Sequence, residues 1–140
     1  MKLQTKRFGE IEIEENKIIE FKEGLPGFDH ISRFSLLPNG KSDMFYWLQS
    51  VDDPEIAFAL LDMARFMPGY SPIIDRSELD GMGEYDPEKF AFYNIAVIPE
   101  SIKCATVNLK APVVINEETK QGRQVICENE EYAVRHYMFT

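Results

Sequence analysis

The sequence predicts a single all-β domain with little helix: an antiparallel, barrel-like or sandwich arrangement of about ten short strands spanning residues 1–140. Three observations predict it. Residues 9–14 alternate Ile11 and Ile13 against Glu10, Glu12 and Glu14, the period of a strand with one wet side. Gly24-Leu25-Pro26-Gly27-Phe28 reads as a type II turn, in which Pro26 presets φ and Gly27 accepts a positive φ. Asn108 to Asn116, followed by a polar turn and Gly122-Arg123-Gln124-Val125-Ile126, reads as a strand, a proline break and a hairpin.

Taken in order, the first strand covers Lys2 to Arg7 and turns at Phe8-Gly9 into the alternating run Gly9 to Glu14. Lys17 to Phe21 forms a third strand, which ends at the Pro26-Gly27 turn. Further strands follow at Arg33 to Leu37, Met44 to Ser50 and Glu55 to Leu61. The last two are apolar at almost every position and are separated by Asp52-Asp53-Pro54, so they are expected to pair near the centre of a sheet with both faces covered. Between Met63 and Glu88, three prolines, three glycines and scattered acids break the pattern, and only Ser77 to Gly81 suggests a helical turn. This segment is expected to leave the β framework and to be its most mobile part. Strands resume at Phe90 to Ile98, Lys103 to Lys110, Val113 to Asn116, Arg123 to Cys127 and Tyr132 to Phe139.

Composition narrows the function. The 140 residues are 44% hydrophobic, enough for one domain with a sizeable core. Twenty-four acidic against 15 basic residues give a net charge of −9, which repels phosphate and so disfavours nucleic acid and anionic membrane as direct partners. A basic protein suits this charge, which also favours solubility. Cys104 and Cys127 lie in separate strand-like runs and are expected to be buried free thiols. The N-terminal residues lack the apolar run of a signal peptide, and no stretch approaches the roughly 18 apolar residues of a membrane span, so a cytoplasmic protein is expected.

Motifs for catalysis are sparse. His30 and His136 stand alone, with no ligand at metal spacing, and no metal or other cofactor is expected. Asp52, Asp53 and Glu55 lack the spacing and central glycine of a calcium loop. No Gly-x-Ser-x-Gly elbow occurs, and Gly24 and Gly27 precede no phosphate-binding Lys-Ser/Thr pair. The aromatics Phe45, Tyr46, Trp47, Phe58, Phe90, Phe92 and Tyr93 fall at strand positions and are expected in the core. In the last strand, Tyr132, Val134, His136 and Met138 should share one face, with Tyr137 and Phe139 on the other. An acidic and aromatic surface for a basic partner is therefore expected from Glu117, Glu118, Glu128, Glu130, Glu131, Tyr132, Tyr137 and Phe139, which cluster around the final hairpin. A small barrel for an apolar ligand and a weak enzyme using buried carboxylates are the alternatives.

Several segments together resemble the FliW family of flagellar assembly factors. They are Gly24-Leu25-Pro26-Gly27-Phe28, Leu37-Pro38, Leu48-Gln49-Ser50-Val51, Pro54-Glu55-Ile56-Ala57-Phe58, Asn108 to Asn116, Gly122-Arg123-Gln124 and the closing Tyr132-x-x-Arg135-His136. A proline often follows that histidine in the family, where Tyr137 stands here. The resemblance implies a non-catalytic bacterial cytosolic protein with an antiparallel β-barrel-like fold. It also implies binding to the dimeric RNA-binding regulator CsrA, relief of its repression of flagellin mRNA, and competition from newly made flagellin. The motif residues themselves are read as turn and core elements.

Overall fold

A computed structural model describes residues 1–39 and 42–139, with only the backbone described at Ser42 and Asp43. Its strands are β1 (Lys2–Thr5), β2 (Gly9–Glu12), β3 (Ile19–Glu20), β4 (Arg33–Asn39), β5 (Ser42–Ser50), β6 (Ala57–Leu61), β7 (Phe90–Val97), β8 (Thr106–Val107), β9 (Val113–Asn116), β10 (Gln121–Gln124) and β11 (His136–Tyr137). One short helix, α1 (Met63–Phe66), and three 3-10 turns complete the described elements. The chain is thus mostly β, as its alternation and turn residues predict.

β1 and β2 form a separate hairpin, while β7-β6-β5-β4-β3-β10-β9 close into a seven-stranded barrel through the β7–β9 pairing. β8 and β11 extend the sheet beyond the barrel. Among the described residues all pairings are antiparallel except β3 with β10, where Gln121 lies beside Glu20 and the Glu20 N–H donates to the Lys120 carbonyl at 2.9 Å. The sequence reading did not foresee that parallel contact. It arises because the β9–β10 hairpin, after pairing along β7, brings its returning strand beside β3 in the same direction.

The Pro26 turn forms as expected. Gly27 has φ +83° and the Phe28 N–H donates to the Leu25 carbonyl at 2.7 Å. β5 and β6 pair centrally, joined by the 51–56 turn in which Ser50 Oγ accepts from the Asp53 N–H at 2.8 Å. Phe21, Ile31, Phe34, Leu48, Leu60, Val113 and Ile115 fill the barrel interior. Phe45, Trp47, Phe58 and Phe92 pack against these and the outer clusters, as the core reading of the aromatics anticipates.

Several strands are shorter than their apolar runs. Lys17 ends a 3-10 turn, Lys103 lies within another, and only Thr106 and Val107 pair as β8. Cys104 is therefore exposed, contrary to the buried thiol expected, because its 3-10 turn lifts it off the sheet; Cys127 is buried. The final run pairs only at His136 and Tyr137, so Val134 lies outside the strand and is 60% exposed instead of sharing the buried face with Tyr132 and Met138.

The excursion from Met63 to Glu88 is tied down and covers the outer faces of the barrel. Met63 joins an outer cluster with Leu61, Val107 and Leu109, while Leu79 and Met82 join another with Phe90, Val114 and Val125. A 3-10 turn occupies Arg76–Leu79, close to the helical turn expected at Ser77 to Gly81. Its backbone is held from afar: Asn116 Nδ2 donates to the Met82 carbonyl at 2.6 Å, and Arg123 Nη1 donates to the Glu78 carbonyl at 2.7 Å.

The Asn108 to Pro112 stretch has a specific architectural role. β7 pairs on one edge with β8 through Ala96↔Val107 and with β9 through Tyr93↔Val113. Two residues of β7, Asn94 and Ile95, thus face the whole run from Asn108 to Pro112, a wide bulge that forks the sheet. Buried Asn94 sits at the fork and donates to the Asn108 carbonyl at 2.7 Å and to the Tyr70 hydroxyl at 3.0 Å. Asn108 Oδ1 accepts from the Ala111 N–H at 2.9 Å, closing the bulge on itself.

Candidate partner-binding surface

The predicted acidic residues fall into two groups. Glu117 and Glu118 follow β9 at the hairpin tip, where Asn116 Oδ1 accepts from the Glu118 N–H at 3.0 Å and Lys120 takes a left-handed φ of +58°. Glu118 is ion-paired with Lys89, which raises the pKa of that ammonium. Glu128, Glu130 and Glu131 lie at the opposite end of the ribbon, beyond the Cys127 N–H to Lys110 carbonyl bond. The strand β9, about 10 Å long at strand rise, and the segment Lys110 to Pro112 lie between them, so the two groups do not form one patch.

The loop at 128–131 is held by the one residue in it that is buried. Asn129 Oδ1 accepts from the Ile73 N–H at 2.7 Å, and its Nδ2 donates to the Ser71 carbonyl at 3.1 Å and to Glu131 Oε1 at 3.2 Å. Its carbonyl accepts from Lys110 Nζ at 2.8 Å, and the Glu128 N–H donates to the Ile73 carbonyl at 2.8 Å. With Asn129 turned inward, Glu128, Glu130 and Glu131 are exposed. The Glu131 backbone N–H and the Asn129 amide, with a smaller contribution from Lys110, hold the Glu131 carboxyl below its ordinary range. Glu128 and Glu130 have no ion-pair partner among the described residues. The loop is a fixed anionic platform.

The aromatics divide. Tyr132 is half-buried, its ring 4.9 Å from that of Tyr70, and its hydroxyl accepts from the Ser71 N–H at 2.8 Å. It therefore braces the acidic loop. Tyr70 donates to the Leu109 carbonyl at 2.7 Å, and burial pushes its pKa up to about 12, so it stays a donor at ordinary pH. Tyr137 and Phe139 are 59% and 48% exposed, on and just beyond the terminal strand β11.

Val97, Ile126 and Val134 are exposed apolar residues that the sequence reading does not place on an open surface. A signal for Ile126 was present, because buried Val125 and Cys127 flank it and period-two alternation turns it the other way. No Asp or Glu among the described residues is buried, and the carboxyls with a resolved shift (Asp52, Asp75 and Glu131) all lie below their ordinary values. That is the wrong direction for a carboxylate acid catalyst. No group of three His, Cys, Asp or Glu placed to hold a metal occurs among the described residues. No helix among them is long and apolar enough to cross a membrane.

Comparison with known proteins places this geometry in a family. The model of the FliW protein family matches residues 2–138. A flagellar assembly factor FliW from Caldanaerobacter subterraneus subsp. tengcongensis is 41% identical over 137 residues, covering 97% of this chain and 91% of that protein. Its counterpart from Bdellovibrio bacteriovorus is 34% identical over 140 residues, covering 100% and 80%. A crystal structure of the flagellar assembly factor FliW superposes with a TM-score of 0.90 at 34% identity, covering 100% of this chain and 98% of that one. Sequence and barrel therefore agree, and the chain belongs to the FliW family of flagellar assembly factors.

Proposed function

We propose that this protein binds the basic RNA-binding regulator CsrA in the cytoplasm, without catalysing a reaction, and relieves its repression of flagellin mRNA, with flagellin as a competing partner. The observation that carries this reading is the Glu128–Glu131 loop: three outward carboxylates fixed by a buried asparagine, in a chain of net charge −9 within the FliW family. A fixed anionic platform attracts a cationic protein and sets its orientation, and once docked beside an RNA surface it repels phosphate without occupying the RNA site. Glu118 contributes less, since Lys89 already neutralises it. The barrel interior is filled by side chains, which speaks against a ligand held in the lumen.

Titration calorimetry against CsrA at two ionic strengths, with and without flagellin bound, tests the reading. The wild-type protein should bind more weakly at higher salt and lose binding in the flagellin complex. Replacing Glu128, Glu130 and Glu131 together by lysine should weaken binding by at least about tenfold and flatten the salt dependence. Unchanged affinity in that variant would remove the loop from the interface, and no binding by the wild-type protein would remove the regulator from the function.

A further inference from the structure

We propose that the forked end of the sheet carries a second docking site, for a protein segment that presents aliphatic side chains together with a carboxylate. The bulge at Asn108 to Pro112 separates β8 from β9 and leaves a groove of about 400 Å³. Ile95, Val97, Ile126 and Val134 supply its apolar surface, and Val97, Ile126 and Val134 are each more than half exposed. Pro26, on the type II turn, also lines the groove. Aliphatic side chains left open to water in this way are stabilised by covering them with other apolar groups.

Charge selects the occupant. In a chain with 24 acidic residues, no Asp or Glu among the described residues lines this groove, and the one charged residue among its described lining is Arg135. Arg135 has no ion-pair or hydrogen-bond partner among the described residues, so its guanidinium is available for a bidentate bond to a carboxylate. This is the opposite sign to the Glu128–Glu131 loop, so the two surfaces suit different partners.

Polar groups in the groove favour a polypeptide over an alkyl chain. Gln124 Nε2 donates to the Ala111 carbonyl and Asn108 Oδ1 accepts from the Ala111 N–H, which leaves Gln124 Oε1 and Asn108 Nδ2 without a partner among the described residues. Together with the Thr106 hydroxyl they offer donors and acceptors suited to a peptide backbone. A fatty acid on this open surface would keep one side of its chain in water.

The test uses two synthetic amphipathic peptides, one of leucine and glutamate and one with lysine for every glutamate, followed by amide chemical-shift mapping on the intact protein. The glutamate peptide should bind more tightly than the lysine peptide and shift amides at Ile95, Val97, Ile126, Val134 and Arg135. Arg135→Glu and Ile126→Asp, both at exposed positions, should each weaken its binding by about tenfold without changing the melting temperature. Equal binding of the two peptides, no binding of either, or unchanged affinity in the variants would overturn the proposal. Two controls would also overturn it: tighter binding of decanoate at the same residues, or a dimer of the protein alone that Ile126→Asp dissociates.

Discussion

Asn129 holds the acidic loop to the excursion that crosses the barrel, and its removal has a calculable effect. In Asn129→Ala the loop loses the bonds to Ile73, Ser71 and Glu131, two of them to backbone groups. A neutral hydrogen bond contributes about 1 kcal/mol net, and the bond to the exposed Glu131 less than that. Both bonds are part-buried while Ile73 and Ser71 themselves are exposed, so their freed backbone groups recover water in part and add only a small desolvation penalty. The expected loss is about 2 kcal/mol, or roughly 8 °C in melting temperature for a domain of this size. Asn129→Asp keeps the acceptor for the Ile73 N–H but sets a carboxylate against the Ser71 carbonyl and Glu131, so it should be at least as destabilising at neutral pH and partly relieved by acid. Calorimetric melting and hydrogen exchange at the Ile73 amide provide the readouts. If Asn129→Ala melts within about 2 °C of the wild type and the Ile73 amide stays protected, the loop is held by something other than this side chain.

Gly122 lies against the ring of Phe21, where an added Cβ would come within 2.5 Å of Cε1 and Cζ. Phe21 is fully buried and edge-packed on Phe34, so Gly122→Ala should cost about 1–3 kcal/mol by overpacking. Combining it with Phe21→Leu should recover part of the loss in a double-mutant cycle, and strict additivity of the two would count against the contact. Asp52 is partly desolvated, which alone would raise its pKa, but the N–H groups of Ser32 and Arg33 and the Arg33 guanidinium outweigh this and lower it. A lowered folded-state pKa gives stability that is present above the unfolded value near pH 4 and lost as pH falls through the folded value. Asp52→Asn should therefore destabilise by about 1 kcal/mol at neutral pH, with a smaller further loss than the wild type below about pH 4 in melting experiments.

Much of the barrel was legible because period-two alternation and turn residues act locally. Pro26-Gly27, the Asp52-Asp53-Pro54 break and the central β5–β6 pair follow from nearest-neighbour physics. The parallel β3–β10 contact did not, since nothing local in Glu20 or Gln121 reports a partner so distant in sequence. The bulge hid in plain apolar sequence: Lys103 to Lys110 reads as one strand, and only the slipped registers against β7 show that the segment beyond Asn108 departs from it. Cys104 was misplaced for the same reason, its burial inferred from a strand that begins only at Thr106. At the candidate site the acidic residues could be counted from sequence but not located. Glu117 and Glu128 are near neighbours along the chain, and the ribbon between them places them at opposite ends.

The parallel β3–β10 contact within the barrel also sets the order of its assembly. Glu20 and Gln121 are about 100 residues apart in sequence, so an emerging chain can form the β4–β5–β6 meander early, while β3 keeps one edge open until the β9–β10 hairpin has left the ribosome. Until then Phe21 has no Gly122 to lie against, and the interior it caps stays accessible to water. Closure should therefore be a late, slow step that depends on an exposed strand edge being kept from other chains.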